Sequence, residues 1–147
     1  MQGLNVTIIV CGQKNSGKTF TIEGNSSSSG IIPLSLNEIF KNGIQRITIS
    51  SFEVYNDSIR DLLSESDKSL EPKEDPSGIT IKGLVEKCAS NFKEAITCLS
   101  SGKEIERSHR IFRVKVEGKS SVQISQINFV ELNGCEYFTH TKRYIQC

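Results

Sequence analysis

The alternation of apolar and polar positions divides the chain into short elements. Residues 5–11 form a β-branched, apolar stretch bounded by Gly3 and Gly12, which predicts a strand buried on both faces. Beyond residue 19 a short helical start covers residues 20–23 and ends at Gly24. Residues 25–30 contain only Asn, Ser and Gly, so they predict a flexible loop with nothing apolar to bury. Pro33 stands near the start of a helix whose apolar face is Leu34, Leu36, Ile39 and Phe40, and Asn42-Gly43 stops it. Residues 46–55 predict a second strand, and residues 57–63 a short helix behind Asn56.

Residues 64–78 carry seven charged residues, two prolines and a single Leu, the profile of an exposed loop. A third strand is predicted over residues 79–84. Phe92, Ala95, Ile96 and Leu99 then recur at helical spacing, with Asn91 and Glu94 placed to cap the helix start. From Ile111 to Glu117 the pattern alternates, with Phe112, Val114 and Val116 on one face. The polar turn at residues 118–121 joins that strand to residues 122–132 as a hairpin. The sum is one α/β layer domain.

Composition narrows the classes. The chain has 147 residues and a formal net charge of +1, which suits one domain and makes neither an acidic tail nor a basic nucleic-acid arm. Hydrophobic residues are 36%, which implies a modest core among polar loops. The longest uninterrupted apolar run, residues 8–11, is far short of the ~20 needed to cross a bilayer. Neither nucleic acid nor membrane is an expected partner. The five cysteines form no C-x-x-C pair, and no secretory signal is visible, so they predict reduced thiols in the cytoplasm.

The chemistry is concentrated between the first strand and the first helix. Gly12-Gln13-Lys14-Asn15-Ser16-Gly17-Lys18-Thr19 satisfies G-x-x-x-x-G-K-[ST], which chance gives about once in two hundred chains of this length. Glycines let backbone N–H groups turn inward as an anion nest. Lys18 can bridge β- and γ-phosphates, and the Thr19 hydroxyl can hold a metal, so Mg²⁺ with ATP or ADP is the expected cofactor set. Residues 127–131 read as a core strand closing on an acid, making Glu131 a second metal-side candidate and Gly134 a candidate γ-phosphate sensor.

Together these segments resemble a kinesin motor domain of the P-loop NTPase superfamily. The run from Gly3 through Gly24 is similar to that family's G-x-N-x-T-I, G-Q-T-G-S-G-K-T and T-x-T-M-x-G, and residues 30–33 to its G-I-I-P. Residues 51–63 resemble S-x-x-E-I-Y-N-E-x-I-x-D-L-L, and Lys82-Gly83-Leu84 the segment before the amphipathic helix. Arg107-Ser108-His109 looks like the end of switch I, and residues 131–136 like switch II, D-L-A-G-S-E. The resemblance implies a three-layer α/β/α fold with a mixed central sheet. Its parts here would be the strand and P-loop (3–24), the serine loop (25–30), the charged loop (64–78), a shortened switch I (102–109), switch II (131–136) and a tail (137–147). It also implies an Arg107–Glu136 ion pair closing the site, and microtubules as partner.

The departures bear on activity. Glu106 stands where the family's second switch I serine would meet metal and phosphate, and a carboxylate there repels the phosphate. Glu131 replaces an aspartate, a methylene longer, which predicts contact with the metal through adjusted water geometry; Asn133 and Cys135 replace an alanine and a serine. Against the family pattern the core is reduced, lacking the first strands with their adenine clamp and the last strand with the main tubulin-contact helices. That reduction predicts an exposed apolar edge at residues 5–11, open to self-association or to a partner protein. Two readings follow: an ATP-binding relative of microtubule motors with weak or no hydrolysis, in the cytoplasm or on the cytoskeleton, and a non-catalytic pseudo-motor serving as an interaction module. A small-molecule kinase would need a lid and an arginine cluster that the chain does not show.

Overall fold

The structure, a computed structural model, describes residues 5–76, 78–102, 107–117 and 124–134. In chain order the elements are β1 (Val6–Val10), α1 (Lys18–Ile22), α2 (Ile31–Lys41), β2 (Ile47–Tyr55), β3 (Ser58–Asp61) and β4 (Ser69–Leu70). They continue with β5 (Pro72–Asp75), β6 (Gly78–Ile81), β7 (Lys87–Ala89), α3 (Phe92–Leu99), β8 (His109–Glu117) and β9 (Ile124–Glu131).

Seven strands build one sheet in the order β1-β9-β8-β2-β3-β4, with β7 also paired to β2. Only β1 runs parallel to its neighbour, β9; the other pairs are antiparallel, so the sheet is mixed. Register fixes which side chains share a face. Ile47 lies opposite Val116 and Ile49 opposite Val114. Val114 in turn faces Ile127, and Phe112 faces Phe129. This inner face packs on Ile22, Ile32, Leu36, Ile39, Ala95 and Leu99, so α1, α2 and α3 all cover the same side. The described residues therefore make two layers rather than the expected three. On the outer face Arg113 lies over the Phe52 ring, 5.4 Å from its centroid, and donates to Asn128 at 3.0 Å. Burial lowers the pKa of that guanidinium.

Several sequence expectations hold. The Asn91 side chain accepts from the Glu94 N–H at 3.0 Å, while Glu94 reaches back to Ser90 N–H at 2.8 Å, closing a reciprocal cap on α3. The β8–β9 hairpin has Phe112, Val114 and Val116 inward, as the alternation requires; its connecting turn lies outside the described residues.

Others are corrected. Residues 57–63 are not a helix: Asn56 and Asp57 both take positive φ, 45° and 60°, and form the two-residue turn from β2 into β3. Such turns match the twist of antiparallel strands, and they outcompete the weak helical spacing of Ile59, Leu62 and Leu63. Residues 64–78 contain strand β4 and most of a second, two-stranded sheet of β5 and β6, and the strand predicted over 79–84 pairs there instead of in the main sheet. Strand β1 is not buried on both faces, since it lies at the edge of the described sheet with Ile9 58% exposed. On α2, Leu34 is 56% exposed and Ile32 takes its place in the core. The serine tract is closed rather than loose: Gly24 bridges Ser29, and the Asn25 carboxamide accepts from the Ser27 and Ser28 N–H groups. Gly24 has φ 85°, and a β-carbon there would lie 2.3 Å from the Ser28 carbonyl oxygen, so only glycine fits.

Phe112 packs against Phe129 with ring centroids 6.5 Å apart and joins both strands to the helices. Phe112→Ala is expected to lower unfolding free energy by about 3–5 kcal/mol in urea titration. A loss under about 1 kcal/mol would contradict this core.

Candidate functional site

The site grows from the end of β1. Chain leaving Val10 passes through Cys11 into Gly12, whose φ of 151° and whose absent β-carbon let Ser16 approach; a Cβ would lie 2.7 Å from the Ser16 hydroxyl. Asn15 and Gly17 follow at φ 62° and 86°, left-handed positions of the kind that turn backbone N–H groups toward a common centre. Ser16 N–H donates to the Gln13 carbonyl at 3.2 Å, and Gly17 caps α1. The Lys18 ammonium donates to the Gly12 and Gln13 carbonyls at 3.1 and 2.7 Å, which holds it over the loop. Gln13, Lys14, Asn15 and Ser16 are exposed at its rim. The motif thus runs from a compact loop, residues 12–17, into the first two residues of α1, Lys18 and Thr19.

Parallel pairing brings the second half of the site alongside. Val10 is in register with Glu131, and Leu132 N–H donates to the Val10 carbonyl at 3.0 Å. The Glu131 carboxylate therefore reaches the loop, and the Thr19 hydroxyl donates to its Oε1 at 2.6 Å. These two hard oxygen donors suit Mg²⁺. Among the described residues no group of three or more His, Cys, Asp and Glu side chains is placed to hold a metal. A cation at Thr19 and Glu131 would complete its shell from phosphate and water. Gly134 lies three residues beyond Glu131 and is half-buried.

The third component is the start of β8. Arg107 is exposed with φ 77°, and Asn133 donates through its side-chain amide to the Arg107 carbonyl at 2.9 Å. The Asn133 backbone N–H donates to His109 Nδ1 at 3.0 Å, and the Ser108 hydroxyl donates to Glu53 Oε2 at 2.7 Å. Glu136, the expected partner of Arg107, lies outside the described residues, as do Glu106 and Cys135.

Beneath these loops a row of charges crosses the inner face of the sheet. Arg60 is in register with Glu53, Glu53 with Arg110, and Arg110 with Glu131. Glu53 is 0% exposed and accepts from Arg60 Nε at 2.6 Å. Arg110 is 8% exposed, pairs with Glu23 at the end of α1 and donates to the Leu99 carbonyl at 2.6 Å. A small cavity holding about one water-sized volume lies between Arg110, Glu131, Phe112 and Phe129. Glu53 and Arg110 were not among the expected site residues. The signal for both is a charged residue continuing an inward-facing apolar alternation, Ile47-x-Ile49-x-Ser51-x-Glu53 and Arg110-x-Phe112-x-Val114.

A family model described as the kinesin motor domain matches residues 1–146. The chain is 32% identical over 163 residues to a kinesin-like protein KIN-7G of Oryza sativa subsp. japonica, covering 92% of this chain and 18% of that protein. It is 33% identical over 162 residues to the chloroplastic kinesin-like protein KIN-7D of the same organism, covering 92% of this chain and 16% of that one. A chloroplastic kinesin-like protein KIN-7K of Arabidopsis thaliana is 32% identical over 162 residues, covering 92% and 17%. The chain thus spans less than a fifth of the length of these relatives.

The buried Glu53 carboxylate ties Arg60 of β3 to Ser108 before β8. Arg60 also lies 3.8 Å from Asp67, whose side chain is 95% exposed. Glu53→Ala leaves Arg60 and Ser108 without their buried acceptor, and is expected to cost about 3–5 kcal/mol in chemical denaturation. Asp67→Ala, which removes a solvated ion pair, is expected to cost less than about 1 kcal/mol in the same assay. Equal effects would contradict the assignment of Glu53 as the anchoring carboxylate.

Proposed function

Because the chain belongs to the kinesin motor-domain family, we propose that it binds Mg·ATP or Mg·ADP through the loop Gly12–Thr19, as a module related to microtubule motors with weak or no hydrolysis. The observation that carries this reading is the Thr19–Glu131 hydrogen bond at 2.6 Å, which joins the phosphate loop to the acid at the end of β9.

The roles follow from the chemistry of the side chains. Gly12, Asn15 and Gly17 shape a loop whose N–H groups can face phosphate oxygens. Lys18 exchanges its contacts with the Gly12 and Gln13 carbonyls for phosphate oxygens, a charge-assisted gain at small conformational cost. The Thr19 hydroxyl donates its hydrogen bond to Glu131 and keeps its oxygen lone pairs for a cation. Bound Mg²⁺ would supply charge neutralisation at the phosphate oxygens. Arg107 and Glu136 are proposed to close the site, and Gly134 to register the γ-phosphate. The weak-hydrolysis part rests on Glu106 and Glu131, whose carboxylates depart from the family pattern.

A second reading, a non-catalytic interaction module, draws on β1, which lies at the edge of the described sheet. Its Val6 and Ile9 are exposed, and edge strands of this kind recruit further strands. Microtubules are the proposed partner under the first reading, and another protein or a second copy under this one. The proposed setting is the cytoplasm and cytoskeleton; among the described residues no helix is long and apolar enough to cross a membrane.

Titration of the purified chain with a fluorescent ATP analogue and Mg²⁺ is expected to saturate. Lys18→Ala is expected to weaken that binding by roughly tenfold to a hundredfold, the worth of hydrogen bonds to a charged group. No saturable binding by a sample that circular dichroism shows to be folded would refute the nucleotide reading and favour the interaction module.

A further inference from the structure

We propose that Asn133 is a positioning residue that latches residues 107–109 onto the exit of β9, linking their conformation to occupancy of the phosphate loop. The linkage rests on the nucleotide reading above; the latch rests on the hydrogen bonds alone.

One residue makes both closures. The Asn133 side-chain amide donates to the Arg107 carbonyl at 2.9 Å, and its backbone N–H donates to His109 Nδ1 at 3.0 Å. The backbone contact is open to any residue except proline. The side-chain contact needs a hydrogen-bond donor, so the alanine of the kinesin pattern could not make it. Arg107 sits at φ 77°, a conformation that a residue with a β-carbon keeps only where its surroundings over-determine it. Those surroundings include Asn133 on the Arg107 carbonyl and on His109, and buried Glu53 on the Ser108 hydroxyl at 2.7 Å.

The other end of the latch is the nucleotide side. Asn133 is two residues from Glu131, whose carboxylate accepts from Thr19, and one from Leu132, whose N–H is fixed to the Val10 carbonyl. A ligand that re-directs the Thr19 hydroxyl or the Glu131 carboxylate acts on the same short segment that carries Asn133. Through the amide, that change reaches the Arg107 backbone, 26 residues away in sequence.

Amide hydrogen exchange of the full chain, read by NMR, tests the latch without nucleotide. Asn133→Ala is expected to speed exchange at residues 107–109 by roughly three- to tenfold, the range of one net hydrogen bond. Asn133→Asp, which sets a carboxylate against the Arg107 carbonyl, should speed it further, and Asn133→Gln, which keeps the donor, should restore part of the protection. Exchange in the β5–β6 hairpin should not change. Unaltered exchange at 107–109 in Asn133→Ala overturns the latch, and so does a uniform rise across the sheet, which would mark general destabilisation. With Mg²⁺ and a non-hydrolysable ATP analogue, wild-type exchange at 107–109 should shift, and that shift should shrink in Asn133→Ala and return in Asn133→Gln. A shift of equal size in wild type and Asn133→Ala overturns the linkage. Failure of the wild type to bind the analogue overturns the nucleotide reading and the linkage with it, while the ligand-free exchange still decides the latch.

Discussion

The parallel register of β1 on β9 is the constraint on which the site depends. Val10 opposite Glu131 sets the carboxylate beside the first turn of α1, where the Thr19 hydroxyl meets it. A slip of one residue would send Glu131 to the outer face and bring Val130 toward Thr19. What prevents the slip is the antiparallel pairing of β9 with β8, where Phe112 opposite Phe129 and Val114 opposite Ile127 bury their side chains under the helices. The apolar core and the polar site are thus two ends of one register.

Along each central strand the inner face changes character in the same direction. In β2 it runs from Ile47 and Ile49 through Ser51 to Glu53, and in β8 from Val116, Val114 and Phe112 to Arg110. In β9 it runs from Ile127 and Phe129 to Glu131. The helices cover the apolar end, where burial stabilises, and charges of alternating sign meet at the other end, where each has a neighbour of opposite sign. Burying a charged side chain in a sheet is costly unless it is paired, and here the buried Glu53 and Arg110 each lie beside residues of opposite sign. Arg110 extends the row into the helical layer through Glu23 and the Leu99 carbonyl, so the ends of α1 and α3 are referenced to the same strand.

Much of the fold was legible because its signals are local. The capped helix at Asn91, the alternating strand from Ile111 and the loop from Gly12 to Thr19 each contain their own explanation in spacing and residue type. Residues 57–63 misled because the spacing of Ile59, Leu62 and Leu63 fits a helix, while the turn at Asn56-Asp57 is decided by the partner strand waiting on the other side. Strand β5 was hidden by charge, since Lys73, Glu74 and Asp75 offer no apolar alternation to announce it.

The candidate site divides along the same line. The amino-acid sequence by itself determined the turn from β1 into α1, because its glycines and the Lys18 and Thr19 side chains that follow lie within eight consecutive residues. It also indicated Glu131 as an acid at a strand end, though not what that acid would touch. Only the tertiary structure decided that Glu131 meets Thr19, that Glu53 and Arg110 are buried as neighbours, and that Asn133 closes on Arg107 and His109. Those contacts join residues separated by 24 to 112 positions in the chain. They are fixed by sheet register, which depends on the packing of all the strands together and on no single segment.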